Sequence, residues 1–140
     1  MCLIIDRYKN KKTLFGCKPH ILKGDIIVYK IGTLSNKSTS VPTFKSDVQG
    51  FTYIIGKLYT MNKLKVHKCG YKVYEGFHSF EYITARMVNS LTEELVIVCC
   101  TIPKGSKIYF GTNNDIVSDN IIINNYFSRD GKGISFEKVL

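Results

Sequence analysis

Apolar residues in this chain occur in short, β-branched runs that stop at glycine, proline or asparagine, and this pattern constrains the fold most strongly. Residues Asp25–Ile31 form one such run between two glycines, and residues Glu94–Ile102 form another that ends at a Pro-Lys-Gly turn. The first is typical of a strand, and the second, which is almost wholly apolar, predicts a strand buried on both faces. Further strands are predicted at 51–60, 71–74, 107–110 and 116–124, and an Asp-Gly pair at 130–131 predicts a hairpin between 126–127 and 134–136.

One segment follows a helical period instead. Phe80, Ile83, Met87 and Leu91 are spaced by three, four and four residues, so they share one face of a helix. Ser79 is a suitable N-cap for that helix. We therefore predict an α+β fold, mostly an antiparallel β-sheet, with one central helix at about residues 80–90.

The length and composition suit a single domain. A chain of 140 residues can bury about two thirds of its surface, which is enough for a core without metal or disulfide bonds. Its 17 phenylalanines and tyrosines exclude a disordered chain. We predict one domain over residues 1–140, with a flexible, serine-rich loop at about 33–46, because that stretch is polar and contains Pro42.

Positive charge is concentrated in the first half of the chain. There are 20 basic and 11 acidic residues in total, which gives a net charge of +9. Residues 1–72 contain 14 of the basic residues and only three acidic ones, so this half carries +11 and the remainder carries −2. Such a surface attracts phosphate-bearing ligands and nucleic acids. A basic surface that serves only solubility is the alternative.

Five cysteines and a beginning without the apolar core of a secretory signal predict a cytoplasmic protein with free thiols. The longest apolar run, Leu95–Cys100, is far shorter than the roughly 20 residues that span a membrane, so no membrane association is predicted. The pairs Cys17–His20 and His67–Cys69 resemble half-sites for zinc, but the second pair is spaced too closely for a structural zinc site. No metal site is therefore predicted.

The Gly-Phe-His-Ser-Phe segment at 76–80 is the most informative local feature, because a histidine lies between a predicted strand and a predicted helix. Backbone amides at the start of that helix would suit an anion, and His78 can donate a hydrogen bond or act as an acid or base near neutral pH. A structural histidine at a strand end is the alternative. Nine tyrosines, some beside lysines as at Tyr29-Lys30, can stack on bases while the lysines contact phosphates.

Five short motifs spread over residues 1–124 are distinctive in combination. They are Met1-Cys2-Leu3, Ile27-Val28-Tyr29-Lys30, Gly76-Phe77-His78-Ser79-Phe80, Ile102-Pro103-Lys104-Gly105-Ser106-Lys107-x-Tyr109-Phe110-Gly111 and Ile116-Val117-Ser118-Asp119-Asn120-Ile121-Ile122-Ile123. Together they resemble a family of small, uncharacterised proteins of bacteriophages and their bacterial hosts. The resemblance implies a phage-type accessory protein but no particular activity.

A second resemblance rests on the order of three features. Tyr29-Lys30 comes first, then residues 76–79 ahead of a segment containing Ala85, and then a strand–Pro-x-Gly–strand unit at 96–107. This order resembles ADP-ribosyltransferase-like folds, which implies NAD as substrate and Tyr29, His78 and Asp119 as catalytic residues. Where those folds have a catalytic glutamate, this chain has Ser-Asp-Asn at 118–120, so a nucleotide pocket is implied more strongly than transfer.

The leading hypothesis is a non-enzymatic, phage-type protein that binds a small anionic or nucleotide-like ligand, for example to sequester a signalling nucleotide of host defence. The alternatives are a diverged ADP-ribosyltransferase-like enzyme acting on NAD, and a basic protein that binds host nucleic acid or a host protein. No cofactor is predicted outside the NAD alternative, and homo-oligomerisation is left open. The predicted ligand-binding residues are Tyr29, Lys30, Gly76, Phe77, His78, Ser79 and Tyr109.

Overall fold

Strands make up most of the chain that the structure describes. The computed structural model describes residues 3–14, 16–35, 42–47, 50–132 and 136–139. In chain order the strands are β1 (Leu3–Ile4), β2 (Lys11–Thr13), β3 (Gly16–Lys18), β4 (His20–Ile21), β5 (Ile26–Ser35), β6 (Thr43–Ser46), β7 (Thr52–Ile54), β8 (Leu58–Thr60), β9 (Lys65–Val66), β10 (Lys72–Glu75), β11 (Phe77–Phe80), β12 (Val96–Ile102), β13 (Lys107–Phe110), β14 (Asp115–Ser118), β15 (Asn120–Ser128) and β16 (Glu137–Lys138). The single helix within the described ranges, α1, spans Ala85–Asn89.

β5 and β12 form the centre of the largest sheet. They pair antiparallel over seven consecutive residues, from Val96 opposite Gly32 to Ile102 opposite Ile26. Along the sheet the order is β16-β15-β12-β5-β11-β14-β13-β4. β6 extends the C-terminal half of β5, and β8 pairs with β15. All of the strand pairs in this sheet are antiparallel.

Two apolar clusters lie on opposite faces of this sheet. On one face, Cys100 and Ile116 belong to the main core with other residues of β5, β12 and β15. On the other face, Val117 packs with Leu3 and Val73 of a small sheet formed by β1, β10 and β9. Because neighbouring residues of β14 join different clusters, this strand is buried on both faces.

A lysine-rich hairpin, formed by β2 and β3, lies against the turn between β9 and β10. A Cβ at Gly16, the first residue of β3, would lie 2.6 Å from the carbonyl oxygen of Gly70 in that turn. Only glycine allows this close approach of two backbones. Lys11 and Lys18 are register partners in the hairpin, so two like charges face each other across it.

The central helix begins later and is shorter than predicted. The prediction places it at about residues 80–90, but α1 spans only Ala85–Asn89. Its N-cap is Thr84 rather than Ser79, and the Thr84 Oγ1 accepts a hydrogen bond from the Met87 amide at 3.2 Å. Ser79 and its successor Phe80 belong instead to β11, which pairs with β14. Pairing with neighbouring strands therefore overrides the local helical period.

The fold is consequently a β fold, and the predicted α+β class is wrong. Of the residues that the structure describes, 54% lie in strands and about 4% in the helix. Met87 is the buried residue of α1, so the helix contacts the sheet mainly through one side chain. No helix in the described part of the chain is long and apolar enough to cross a membrane.

Part of the stretch predicted as a serine-rich loop, at about 33–46, lies in strands. Residues 33–35 end β5, and Thr43–Ser46 forms β6, which pairs with them. Pro42 precedes β6, and residues 36–41 of the predicted loop lie outside the described residues. Residues 133–135 of the predicted C-terminal hairpin lie outside them as well.

Gly32 provides a test of the tight contact between β5 and β6. A Cβ at this position would collide with the carbonyl oxygen of Lys45 and lie 2.7 Å from the Phe44 ring. We expect Gly32→Ala to lower the free energy of unfolding by about 3 kcal/mol, because overpacking a core forces the backbone to shift. Urea-induced unfolding followed by circular dichroism measures this change.

Gly24→Ala is the matched control, because a Cβ at Gly24 meets nothing within 4 Å. We expect this control to change the free energy of unfolding by less than about 0.5 kcal/mol. Similar losses for the two variants would contradict the close approach of β6 to Gly32.

Candidate functional site

His78 and Asp115 form a buried pair on adjacent strands. The register of β11 and β14 places Phe80 opposite Asp115 and His78 opposite Val117. The His78 Nε2 lies 3.0 Å from the Asp115 Oδ2, and both residues are less than a tenth exposed. The carboxylate therefore fixes the orientation of the imidazole ring.

The Asp115 carboxyl group is stabilised in its ionised form by its neighbours. Burial alone raises its pKa, but the hydrogen bond and charge of His78, together with backbone amides, lower it by more. One of these amides, that of Asn113, donates to the Asp115 Oδ1 at 3.2 Å. The resulting pKa of Asp115 lies below its usual value of 3.8, so this residue is a carboxylate at neutral pH.

The His78 ring borders a cavity of about 270 Å³, which we call the histidine cavity. Asp47 and Arg86 also line this cavity and are exposed. His78 itself is only 6% exposed, so a ligand there would reach a small part of its ring. Asp115 is paired with His78, and the charge of Asp47 opposes that of Arg86, so the histidine cavity has no net positive charge to attract an anion.

Lys30 lies in the interior, and its ammonium group forms a hydrogen bond within the protein. Lys30 is 3% exposed, its Nζ donates a hydrogen bond to the main-chain carbonyl oxygen of His78, and the same Nζ lies 5.5 Å from the centre of the Tyr53 ring. Burial lowers the pKa of Lys30 to about 8 and raises the pKa of Cys100 to about 12. Lys30 therefore links β5 to β11 from inside and is not accessible to a surface ligand.

The remaining predicted residues of this segment also belong to the core. Phe77 is 9% exposed, and Ser79 is fully buried. A Cβ at Gly76 would lie 2.8 Å from the Leu64 side chain, so a side chain at this position would have no room on that side. Gly76 and Phe77 nevertheless line a cavity of about 440 Å³ on the other side, separate from the histidine cavity. Because residues 77–80 form a strand, their amides are not at a helix start, and the anion site predicted at such a start is not formed there.

Tyr29 lies on the opposite face of β5 from Lys30. Its register partners are Cys99 of β12 and Phe80 of β11, and its ring centre is 6.3 Å from that of Phe136. Burial, with a smaller contribution from Cys99, raises the pKa of Tyr29. Tyr29 does not line the histidine cavity.

Tyr109 and Asp119 border a larger cavity of about 600 Å³, which we call the basic cavity. The Tyr109 hydroxyl donates to the carbonyl oxygen of Cys17 at 3.4 Å, and the Lys107 amide donates to the Asp119 Oδ1 at 2.9 Å. Both polar groups are thus held by the fold. The cavity is also lined by exposed or half-buried residues of other segments, among them Asn62, Lys63, Lys65, Tyr74 and Lys107.

The basic cavity carries a net positive charge. Three lysines line it against one carboxylate, that of Asp119. Lys65 forms an ion pair with Glu75, with 2.8 Å between Nζ and Oε2, and its hydrogen bond to Glu75 raises the Lys65 pKa. Among the described residues, neither Lys63 nor Lys107 has an ion-pair partner. Two exposed ammonium groups are therefore available to an anion.

Lys63 and Lys65 line the basic cavity but are absent from the predicted ligand-binding residues, although the sequence holds a signal for them. They alternate with Leu64 and Val66, which pack in the second apolar cluster. Alternation along an extended segment places the two lysines on the outward face. The sequence does not show that Lys107, far along the chain, lines the same cavity.

The residues predicted for catalysis are not brought together. Asp119 lines the basic cavity, His78 lines the histidine cavity, and Tyr29 lines neither. Of the predicted ligand-binding residues, Tyr109 is the one that lines the basic cavity. Within the described ranges, no group of three or more histidine, cysteine, aspartate or glutamate side chains is placed to hold a metal ion.

The buried ammonium group of Lys30 predicts a specific pH dependence of stability. Its pKa is about 8 in the folded protein and has an ordinary value of 10.5, so the unfolded chain binds more protons between these two pH values. Stability therefore rises with pH in this range, by at most about 1.4 kcal/mol per pH unit. We expect the wild-type protein to gain about 1 kcal/mol relative to Lys30→Met between pH 8 and pH 9.

Urea unfolding of both proteins at the two pH values measures this gain. Methionine has a similar length and lacks the charge, so the comparison removes the titration of groups that the two proteins share. A stability difference that is independent of pH over this interval would contradict a buried lysine with a lowered pKa.

Asp115→Asn tests the buried pair with His78, because it removes the charge and keeps the size of the side chain. A carboxylate with a lowered pKa in the folded state adds stability above its ordinary value of 3.8, and this contribution is lost as the pH falls through the folded pKa. We expect a loss of about 2 kcal/mol at pH 7. The loss should shrink below pH 3.8 in thermal or urea unfolding experiments.

Asp47→Asn is the control, because Asp47 lines the same cavity but is exposed. We expect this substitution to change the free energy of unfolding by less than about 0.5 kcal/mol at any of these pH values. Equal losses for the two aspartates would show that the pair with His78 contributes nothing specific.

No family model, no curated protein and no solved structure matches this chain. The resemblances to the phage family and to ADP-ribosyltransferase-like folds therefore stay predictions from sequence motifs. The geometry and charge of the cavities are consequently the basis for any statement about function.

Proposed function

We propose that this protein binds a small anionic, nucleotide-like ligand in the basic cavity. The observation that carries this proposal is that Lys63, Lys65 and Lys107 line one cavity together with two tyrosines, Tyr74 and Tyr109. Ammonium groups bind phosphate oxygens, and tyrosine rings offer a surface for a base. The volume of about 600 Å³ lies within the usual range of ligand pockets.

The two tyrosines have different roles in this proposal. Tyr74 is 49% exposed, so one side of its ring is free to stack on a base. Tyr109 is 5% exposed and is held by its hydrogen bond to Cys17, so it forms a fixed wall. The ligand's phosphates then lie towards Lys63 and Lys107, which have no carboxylate partner in the described part of the chain.

The surroundings of the cavity add to its attraction for anions. Pro19, which directly follows the lysine-rich hairpin, lines the cavity, and Cys17 of that hairpin contacts Tyr109. Lys11 and Lys18 face each other across the hairpin, although like charges in register destabilise a strand pair. Neither of these two lysines lines the cavity, but both add to the summed positive field that draws an anionic ligand towards it.

The biological role follows from the resemblance to phage proteins. A phage protein that binds a nucleotide without converting it would sequester it, and a signalling nucleotide of host defence is the ligand class that this role implies. Catalysis on NAD is not part of the proposal, because Tyr29, His78 and Asp119 line no common cavity.

Calorimetry with mono-, di- and cyclic nucleotides tests the proposal. We expect at least one class to bind with micromolar or tighter affinity. Lys63→Gln and Lys107→Gln should each weaken this binding by roughly tenfold, because each removes one charge-assisted hydrogen bond to phosphate. Binding should also weaken as salt is added, because the lysines are exposed.

Lys23→Gln is the control, because Lys23 is exposed and does not line the basic cavity. We expect it to leave the affinity unchanged within a factor of two. Absence of binding across the whole panel, or an equal effect of Lys23→Gln and Lys107→Gln, would contradict a nucleotide site in this cavity.

A further inference from the structure

A third cavity, which we call the aromatic cavity, lies beside the basic cavity. Its volume is about 440 Å³. Two of its aromatic residues are unusually exposed for their type, since Phe51 is 46% and Tyr74 is 49% exposed. Its walls include five aromatic rings, those of Phe51, Tyr53, Tyr59, Tyr74 and Phe77.

The rings of the aromatic cavity are held in fixed orientations. Phe51 and Tyr59 are nearly perpendicular, with 5.6 Å between their centres, and Tyr53 and Tyr59 are perpendicular at 5.1 Å. The Tyr59 hydroxyl accepts a hydrogen bond from the Ile54 amide at 2.7 Å. Because Tyr53 is buried and Tyr59 is anchored, the exposed Phe51 ring is supported from below as a rigid surface.

The aromatic and basic cavities adjoin each other. Tyr74 lines both of them. In addition, Met61 lines the aromatic cavity, and the next residue, Asn62, lines the basic cavity. A ligand can therefore extend from one cavity into the other past the Tyr74 ring.

The charges around the aromatic cavity decide which kind of ligand it suits. An aromatic cavity with a free carboxylate would suit an organic cation, and Glu75 does line this one. However, Glu75 is paired with Lys65 at 2.8 Å, and the ammonium group of Lys57 lies 5.2 Å from the centre of the Tyr59 ring. The surroundings are thus positive, which favours an aromatic group that is attached to an anion.

We propose that the two cavities together bind a single-stranded oligonucleotide, with a base on Phe51 in the aromatic cavity and phosphates beside Lys63 and Lys107. This inference rests on the proposed function, because it uses the same lysines, and it names the ligand class as a strand rather than a single nucleotide. Stacking on aromatic rings accepts any base, so the preference among sequences should be weak.

Fluorescence anisotropy with labelled oligo(dT) and oligo(U) of about eight nucleotides tests this inference. We expect either strand to bind at least tenfold more tightly than a mononucleotide that competes for the site. With two lysines, Lys63 and Lys107, in contact with phosphates, the logarithm of the affinity should fall with the logarithm of salt concentration with a slope of about −1.4. The comparison of oligo(dT) with oligo(U) shows whether the affinity depends on the sugar of the strand.

Phe51→Ala is the decisive variant. It should weaken oligonucleotide binding on the order of tenfold, as expected for the loss of one stacked base, and leave mononucleotide binding unchanged. Tyr126→Ala is the matched control, because Tyr126 is 47% exposed and lines neither cavity. This control should not change the affinity.

Three outcomes would overturn the inference while the proposed function stands. In the first, a mononucleotide binds as tightly as the strands. In the second, Phe51→Ala weakens mononucleotide and strand binding equally. In the third, a duplex binds as tightly as a single strand, although the bases of a duplex are not free to stack. If neither mononucleotide nor strand binds, the proposed function itself fails.

Discussion

The antiparallel ladder between β5 and β12 is the constraint on which the rest of the structure depends. Its register places Val98 opposite Lys30 and Cys99 opposite Tyr29, and since side chains alternate along a strand, the two pairs face opposite sides of the sheet. The lysine is thereby committed to the interior, where its ammonium group needs an acceptor. The carbonyl oxygen of His78 on the neighbouring strand provides it, so one buried charge helps to hold β11 beside β5.

The segment between β8 and β9 contributes to both cavities of the proposed binding surface, with Met61 in the aromatic cavity and Asn62 and Lys63 in the basic cavity. The Met61 amide donates to the carbonyl oxygen of Asp119 at 2.9 Å, and Leu64 is buried in the second apolar cluster. These two anchors hold the segment after β8 without using the ammonium group of Lys63. The backbone of this segment is therefore fixed by the Met61 amide and the Leu64 side chain, while the Lys63 side chain remains exposed for a ligand.

The sequence predicts the central strands here, but it misses the short strands β1 to β4 and β6, the bounds of the helix, and the site. The β-branched runs around β5 and β12 have no competing local signal, so their strands agree with the prediction to within a few residues. The spacing of Phe80 and Met87 does suit a helix, but it ignores the strand partners that β11 finds on both sides. The basic cavity is not predicted because its lysines come from distant segments of the chain, and local periodicity does not show which segments come into contact.

Tyr74 borders both cavities, and this shared wall couples them. A group that binds in one cavity and favours one rotamer of Tyr74 changes the volume available in the other cavity. Binding at the two cavities is then coupled reciprocally. If a ligand in one cavity changes the affinity of the other cavity for its ligand by some factor, the second ligand changes the affinity for the first by the same factor. Two separate molecules that compete for the position of this ring would therefore bind with negative cooperativity, whereas one strand that fills both cavities binds as a single ligand.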